Sequence, residues 1–293
     1  MRLMRWTLYG ISVAGVVALV ALVCLISCMP GRSYREPLPK LTSAEQQLSA
    51  ELRRDVEVLA TEIGDRNVRV LPKLNAAANH IERQFQQAGY AVERQTYDAS
   101  GHICANLIVE LTGTRQPEEI LVIGAHYDSA PNCPAANDNG SAVAALLALS
   151  RRLADQNFGR TVRFVAFANE EPPYFWTEQM GSLVYARRCR ARNDNIVGML
   201  ALETMGYYSD EKGSQHYPAP LNLFYPSTGN FIAFVGNMKS RSFIRKVVGS
   251  FRQNAQFPSE GAALPSFVRE AGYSDHWSFW QVGYPGLMVT DTA

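Results

Sequence analysis

Leu48, Leu52, Val56 and Leu59 recur every three or four residues, one apolar stripe on a 3.6-residue repeat. The pattern predicts a helix from Thr42 to about Ile63. Thr42-Ser43-Ala44-Glu45 at its start is a capping-box sequence. A second helix is predicted over 74–88, stopped by Gly89. Strands are predicted at 91–97 and 104–111. Beyond these the rhythm changes. Short apolar runs at 120–125, 161–168, 197–203, 231–235 and 286–289 alternate with helical patterns at 141–153, 181–188, 243–251 and 277–282. Strands alternating with helices imply βαβ units, hence an α/β fold with a mixed or parallel sheet. Ligands of such sheets gather at the carboxyl ends of the strands.

The N-terminus breaks this pattern. No residue from Trp6 to Met29 is charged, and the stretch 13–26 is almost wholly apolar, long enough to cross a bilayer as a helix. Arg2 and Arg5 precede it, while Arg32, Arg35 and Lys40 follow, so the charge bias across it is weak. An uncleaved signal anchor is the favoured reading. A lipoprotein signal is the alternative, because Leu25-Ile26-Ser27-Cys28 resembles a lipobox. Pro30-Gly31 argues against a core helix continuing into the rest. The division is therefore 1–30 anchor or lipoprotein signal, 31–41 tether and 42–293 α/β domain, which is expected outside the cytoplasm and held to a membrane.

With 28 Lys+Arg against 27 Asp+Glu, the charges give no reason to expect nucleic acid as a partner. Cys104, Cys133 and Cys189 are an odd set outside the apolar run, open to one disulfide with a free thiol or to none. Arg187, Arg188 and Arg190 flank Cys189 and would lower its thiol pKa, but a structural cysteine without chemistry is the favoured reading for all three cysteines.

Three blocks carry candidate chemistry: Gly-Ala-His-Tyr-Asp-Ser at 124–129, Asn-Asp-Asn-Gly-Ser at 137–141 and Asn-Glu-Glu at 169–171. Imidazole and carboxylates bind zinc, and an unbound Glu beside the metal takes a proton from water. His126, Glu170, Glu171 and Glu203 all fall at predicted strand ends. Asp128, two residues past His126 in an extended segment, faces the same way and is placed to orient the imidazole. Asp138, in a turn before a helix, reads by itself as an N-cap rather than a ligand, and only the other blocks turn the balance. Tyr174, Phe175 and Trp176, directly after the glutamates, are candidates for an apolar substrate pocket.

Gly-Ser at 181–182, Leu-Glu-Thr-Met-Gly-Tyr at 202–207 and Ser-Asp-His at 274–276 before Gly-Tyr-Pro at 283–285 complete six blocks in order. Over about 75–293 the chain resembles the zinc-dependent aminopeptidases of metallopeptidase family 28, with glutamate carboxypeptidase and glutaminyl cyclases as relatives. The resemblance implies a three-layer α/β/α fold with a central mixed, mostly parallel sheet. It also implies two zinc sites and hydrolysis of peptides by metal-activated water. In it His126 and Glu203 bind the first metal, Asp138 bridges both, Glu171 binds the second, and Glu170 is the general base. The Asp138–Asn139 bond is expected to be cis. Asp275 and His276 are expected near the substrate cleft, with His276 not a metal ligand. The family's last ligand is a histidine beyond the final strand, and no histidine follows His276. A weak second metal site, in a chain cut short at its C-terminus, is the expectation from that. Two other functions stay open: a glutaminyl cyclase-like acyltransferase, and a non-catalytic membrane-anchored binding domain.

Overall fold

The computed structural model describes Ala21 and residues 23–217 and 221–291. Thr42 caps α1 (Ser43–Glu57) through the expected reciprocal box, its hydroxyl accepting from the Glu45 N–H and its own N–H donating to the Glu45 carboxylate. The helix does not run regularly to Ile63. Val58–Ile63 widens into a π-type turn in which the Gly64 N–H reaches back to the Leu59 carbonyl, and Gly64 takes φ 74 to end it. α2 (Leu71–Gln87) begins three residues before the predicted start, because Pro72 sits in its first turn, where the ring's fixed φ suits a helix. It buries Leu74, Ala77, Ala78, Ile81 and Phe85.

The strands are β1 (Glu93–Ala99), β2 (His102–Leu111), β3 (Gln116–His126), β4 (Arg160–Phe167), β5 (Asn195–Glu203), β6 (Ile232–Asn237), β7 (Ser259–Leu264) and β8 (Gly286–Thr290). Between them lie α3 (Ala142–Leu153), α4 (Gly181–Ala191), α5 (Arg241–Asn254) and α6 (His276–Gln281). One sheet takes all eight strands in the order β1-β2-β4-β3-β5-β8-β6-β7. β3/β4, β3/β5, β5/β8 and β6/β7 pair parallel, and β1/β2, β2/β4 and β6/β8 antiparallel. The sheet is therefore mixed. β7 escaped the sequence reading: Ser-Glu-Gly-Ala-Ala-Leu has neither alternation nor β-branched residues, and a neighbouring strand makes it extended.

Alternate residues of the central strands feed two cores. On one face Leu107, Ala125, Phe164, Leu202 and Leu287 pack under α2, α3 and α5. On the other Val122, Val165, Phe167 and Met199 pack under α4 and α6 through Tyr185, Ala186 and Phe279. This gives three layers, α/β/α.

Among the described residues no helix is long and apolar enough to cross a membrane. Most of the apolar run 6–29 lies outside the described residues; positions 23–27 are helical. All five cysteines are free. Cys189 lies on the buried side of α4, where burial pushes its thiol up to about 11 despite the neighbouring arginines, as a structural cysteine would be placed.

Candidate functional site

β3, β4 and β5 run parallel and end at one edge of the sheet. His126 is the last residue of β3 and Glu203 the last of β5, while Glu170 and Glu171 leave the sheet just after β4. Asp138 comes from the turn before α3, and its bond to Asn139 is cis.

Asp138, Glu203 and Glu170 meet at one imidazole nitrogen. His126 Nε2 is 3.2 Å from Asp138 Oδ1, 3.5 Å from Glu203 Oε2 and 3.8 Å from Glu170 Oε2. Ligand atoms of His126, Glu170 and Glu203 all lie within 4.8 Å of one another, and all three residues are buried. On the far side of the ring, His126 Nδ1 is 3.4 Å from Asp128 Oδ1.

The charges explain the set. Burial opposes protonation of His126, but Glu170 and Glu203 outweigh it and hold the ring's pKa well above its usual range. Burial is also the main force raising the Glu170 carboxyl well above an ordinary glutamate, with Glu203 and Asp275 adding to it against His126. Glu171 is pushed up to about 7, first by burial. Glu170 and Glu203 are buried and Asp138 stands beside them, so among the described residues a single imidazole is the one counter-charge within ion-pair distance of these carboxyl groups. A borderline cation taking N and O donors, such as zinc, supplies further positive charge.

The backbone around the cluster is pinned. Asp128 accepts from the Glu170 N–H (3.0 Å) and the Glu171 N–H (3.1 Å), one oxygen to each. Its carboxylate therefore fixes the glutamate turn as well as facing His126. Glu171 Oε1 accepts from the Ala130 N–H at 3.1 Å. The 137–141 block interlocks with 202–207. Asn139 donates to the Leu202 carbonyl and accepts from the Thr204 N–H, Ser141 Oγ accepts from the Met205 N–H, and Asn137 Oδ1 accepts from the Gly206 N–H. A Cβ at Gly206 would stand 2.9 Å from Asn137 Oδ1, so any larger residue must push the Asn137 side chain aside.

Two supports were not singled out from sequence. Ser274 Oγ donates to Glu203 Oε2 at 2.7 Å. Arg66, with no exposed surface, donates to the carbonyls of Leu59, Gly64, Tyr127, Pro134 and Ala135. Burial lowers its pKa to about 10, so it stays charged at neutral pH. Arg66 has no local mark in sequence, and Ser274, though it opens the Ser-Asp-His block, shows nothing there of its contact with Glu203, because both have partners distant in the chain.

A cavity of ≈ 230 Å³ opens on the cluster, lined by Asp138, Glu170, Glu171, Glu203, Phe175 and Tyr273, with Pro172 at its wall. Of the aromatic run after the glutamates, Phe175 alone lines it. Tyr174 is buried with its hydroxyl on the Ala99 carbonyl. Trp176 stacks between Phe175 and Trp277, under the Arg269 guanidinium, and supports the wall from behind. Tyr273, whose ring meets Phe175 edge-on at 6.0 Å, takes the second wall position. Asp275 and His276 are fully buried and do not line the cavity. Burial raises the Asp275 carboxyl to about 7. His276 Nε2 is 2.7 Å from the Ala271 carbonyl, to which it donates, and its ring packs edge-on against Trp280.

A three-layer α/β/α domain with a buried imidazole–carboxylate cluster at the carboxyl edge of its parallel strands is the architecture of the zinc aminopeptidases. The sequence model of Peptidase family M28 matches residues 106–293. The chain belongs to that family, as a zinc aminopeptidase-like member. It is 34% identical over 264 residues to the "Uncharacterized protein YfbL" of Escherichia coli (strain K12), covering 87% of this chain and 79% of that one. A "Probable zinc metalloprotease" of Pyrenophora teres f. teres is 27% identical, over 64% of this chain and 42% of its own length. The chain thus spans less than half of that fungal relative. Among solved structures, BSAP, a zinc aminopeptidase from Bacillus subtilis, has a TM-score of 0.61 at 13% identity, covering 83% of this chain and 84% of that one. The Porphyromonas gingivalis glutaminyl cyclase has a TM-score of 0.58 at 18% identity, covering 86% and 84%. At such identities these two likenesses show the fold alone.

Proposed function

We propose that the chain is a zinc-dependent aminopeptidase whose metal ligands are His126, Asp138, Glu171 and Glu203 and whose general base is Glu170. The observation that carries this reading is the convergence of Asp138, Glu203 and Glu170 within 3.8 Å of His126 Nε2. His126, Asp138 and Glu203 would hold one zinc, and Asp138 with Glu171 would begin a second set. Zinc bound there supplies Lewis-acid polarisation of the scissile carbonyl and acidification of water.

The remaining work falls to the chain's own groups. Glu170 accepts the proton of the attacking water and returns it to the leaving amine nitrogen, a task suited to a carboxyl raised by burial. Asp128 holds the glutamate turn by its N–H groups, so the base is already in place when substrate arrives. The cavity of ≈ 230 Å³ falls below the roughly 300–1,000 Å³ of drug-sized pockets, room for one residue rather than an extended peptide. Phe175 and Tyr273 give it an apolar wall, suited to an apolar first residue.

Glu170→Gln keeps the shape of the side chain and removes its basicity. It should retain zinc and lose about 10²–10⁴-fold in kcat on aminoacyl-anilides, the usual share of a general base. Loss of zinc from this variant, with activity recovered in excess metal, would make Glu170 a ligand instead. Release of ammonia from N-terminal Gln peptides without anilide hydrolysis would replace the aminopeptidase by a cyclase.

A further inference from the structure

Between Glu211 and Glu260 the chain has no Asp or Glu, yet it carries Lys212, Lys239, Arg241, Arg245, Lys246 and Arg252. In a protein whose formal charge is only +1, this is a marked local excess. Much of it is collected on α5 and the turn before it. Lys239 and Lys246 are exposed. Among the described residues Arg252 alone of these six has a carboxylate within ion-pair distance, Glu260 at 3.8 Å. Arg241 and Arg245 donate to the carbonyls of Leu25 and Cys28, contacts that leave their charge uncompensated. A concavity of ≈ 520 Å³ lies among Pro30, Arg241, Arg245, Lys246, Ser250 and Gln253.

The topology sets where this face points. β6 runs antiparallel to β8, so Gly236 is level with Leu287 while Ala233 is level with Thr290 and Glu203. The carboxyl end of β6, and with it the start of α5, therefore lies at the end of the sheet away from the cavity. The uncharged stretch 6–29 joins the fold at the same end, where the Leu25 carbonyl meets Arg241. From there the chain runs along α5, its Pro30 and Gly31 carbonyls accepting from Arg252.

We propose that Lys239, Arg241, Arg245 and Lys246 form a face that rests on the anionic headgroups of a lipid bilayer, with the cavity turned to the aqueous side. The proposal goes beyond the peptidase reading and rests on the apolar run entering that bilayer. Apolar chain arriving beside unpaired cations favours a lipid surface over a nucleic acid, which needs the cations and not the apolar run.

The test uses the full chain in vesicles of phosphatidylcholine alone or with phosphatidylglycerol, and a membrane-impermeant acetylating reagent read by mass spectrometry. Lys239 and Lys246 should react about fivefold more slowly when phosphatidylglycerol is present, the share of one basic residue at an anionic surface. The exposed Lys73 should not change. The difference should vanish at about 1 M salt, where the screening length is about 3 Å. Lys239→Glu combined with Lys246→Glu breaks no side-chain hydrogen bond or ion pair among the described residues and lies away from the cavity, so it should leave hydrolysis unchanged. It should also abolish any dependence of α5 amide exchange on phosphatidylglycerol. Equal acetylation in both vesicle types would overturn the proposal while leaving the anchor. Sedimentation with neither would overturn both. Equal protection by inorganic phosphate or by duplex DNA over neutral vesicles would make the face an anion site of another kind and overturn it too.

Discussion

Ser274 controls Glu203 through one short bond, and the consequence is measurable at the level of a single atom. Ser274→Ala leaves the Glu203 carboxylate free to turn. Removing such a support typically costs 10–100-fold in metal affinity, so zinc affinity should fall about that far, and Ser274→Thr should restore it. A merely structural role would lower stability without moving the zinc titration. Cys189 makes the opposite kind of prediction. With burial holding its thiol near 11, it should stay unmodified by maleimide at pH 7 in the folded protein and react only on unfolding. His276 sets a pH dependence. Burial holds its pKa down at about 4, below the 6.5 of an exposed ring. The unfolded chain therefore takes up a proton that the folded chain refuses. Stability from this group is full above about pH 6.5, falls as pH drops toward 4 and then levels off, roughly 3 kcal/mol in all. Urea midpoints at pH 7 and 4.5 should differ less in His276→Gln than in the native protein. His126, Glu170 and Glu203 meet because each stands at or just past the end of a strand, and strand ends are legible in the apolar pattern; Asp138 joins them from the turn before α3. Tyr273 and Ser274 were not legible as a wall and a support, since both functions come from long-range contacts.

At the scale of elements, the turn before α3 and the end of β5 act as one unit. Gly206→Ala would drive a Cβ to 2.9 Å from Asn137 Oδ1 and 3.2 Å from Ser141 Cβ. Overpacking of this kind costs about 1–3 kcal/mol, and it displaces the turn carrying Asp138. Urea unfolding should show the loss, and zinc affinity should fall with it. An unchanged affinity would mean the two blocks move independently. Elements with strong patterning matched their sequence expectations, α3 and β4 to within a residue at each end. Those shaped by a partner did not. β7 is a strand because β6 lies beside it. The π-type turn exists where the Leu59 carbonyl takes both the Gly64 N–H and the Arg66 guanidinium.

For the whole molecule, metal and stability should be linked. If zinc relieves the crowding around His126, stripping it with a chelator should lower Tm, and re-addition should raise it in proportion to the logarithm of free zinc. A Tm indifferent to chelation would place the metal away from this cluster. The layered α/β plan was legible from strand–helix alternation. Which end of the sheet each loop occupies was not, because it depends on the reversal at β6. Arg66 bears on what can be inherited as a piece. The family model matches from Asn106 onward, yet Arg66 precedes that match and holds the carbonyls of Tyr127, Pro134 and Ala135 inside it. Each buried carbonyl left without a donor costs about 1–3 kcal/mol. Leu59, Leu74, Ile81 and Phe85 also close one core from outside that stretch. Grafted alone onto another protein, 106–293 would carry the signature of its ancestry without the means to stand. The sixty or so residues of this domain that precede Asn106 are thus part of the structure that holds the site.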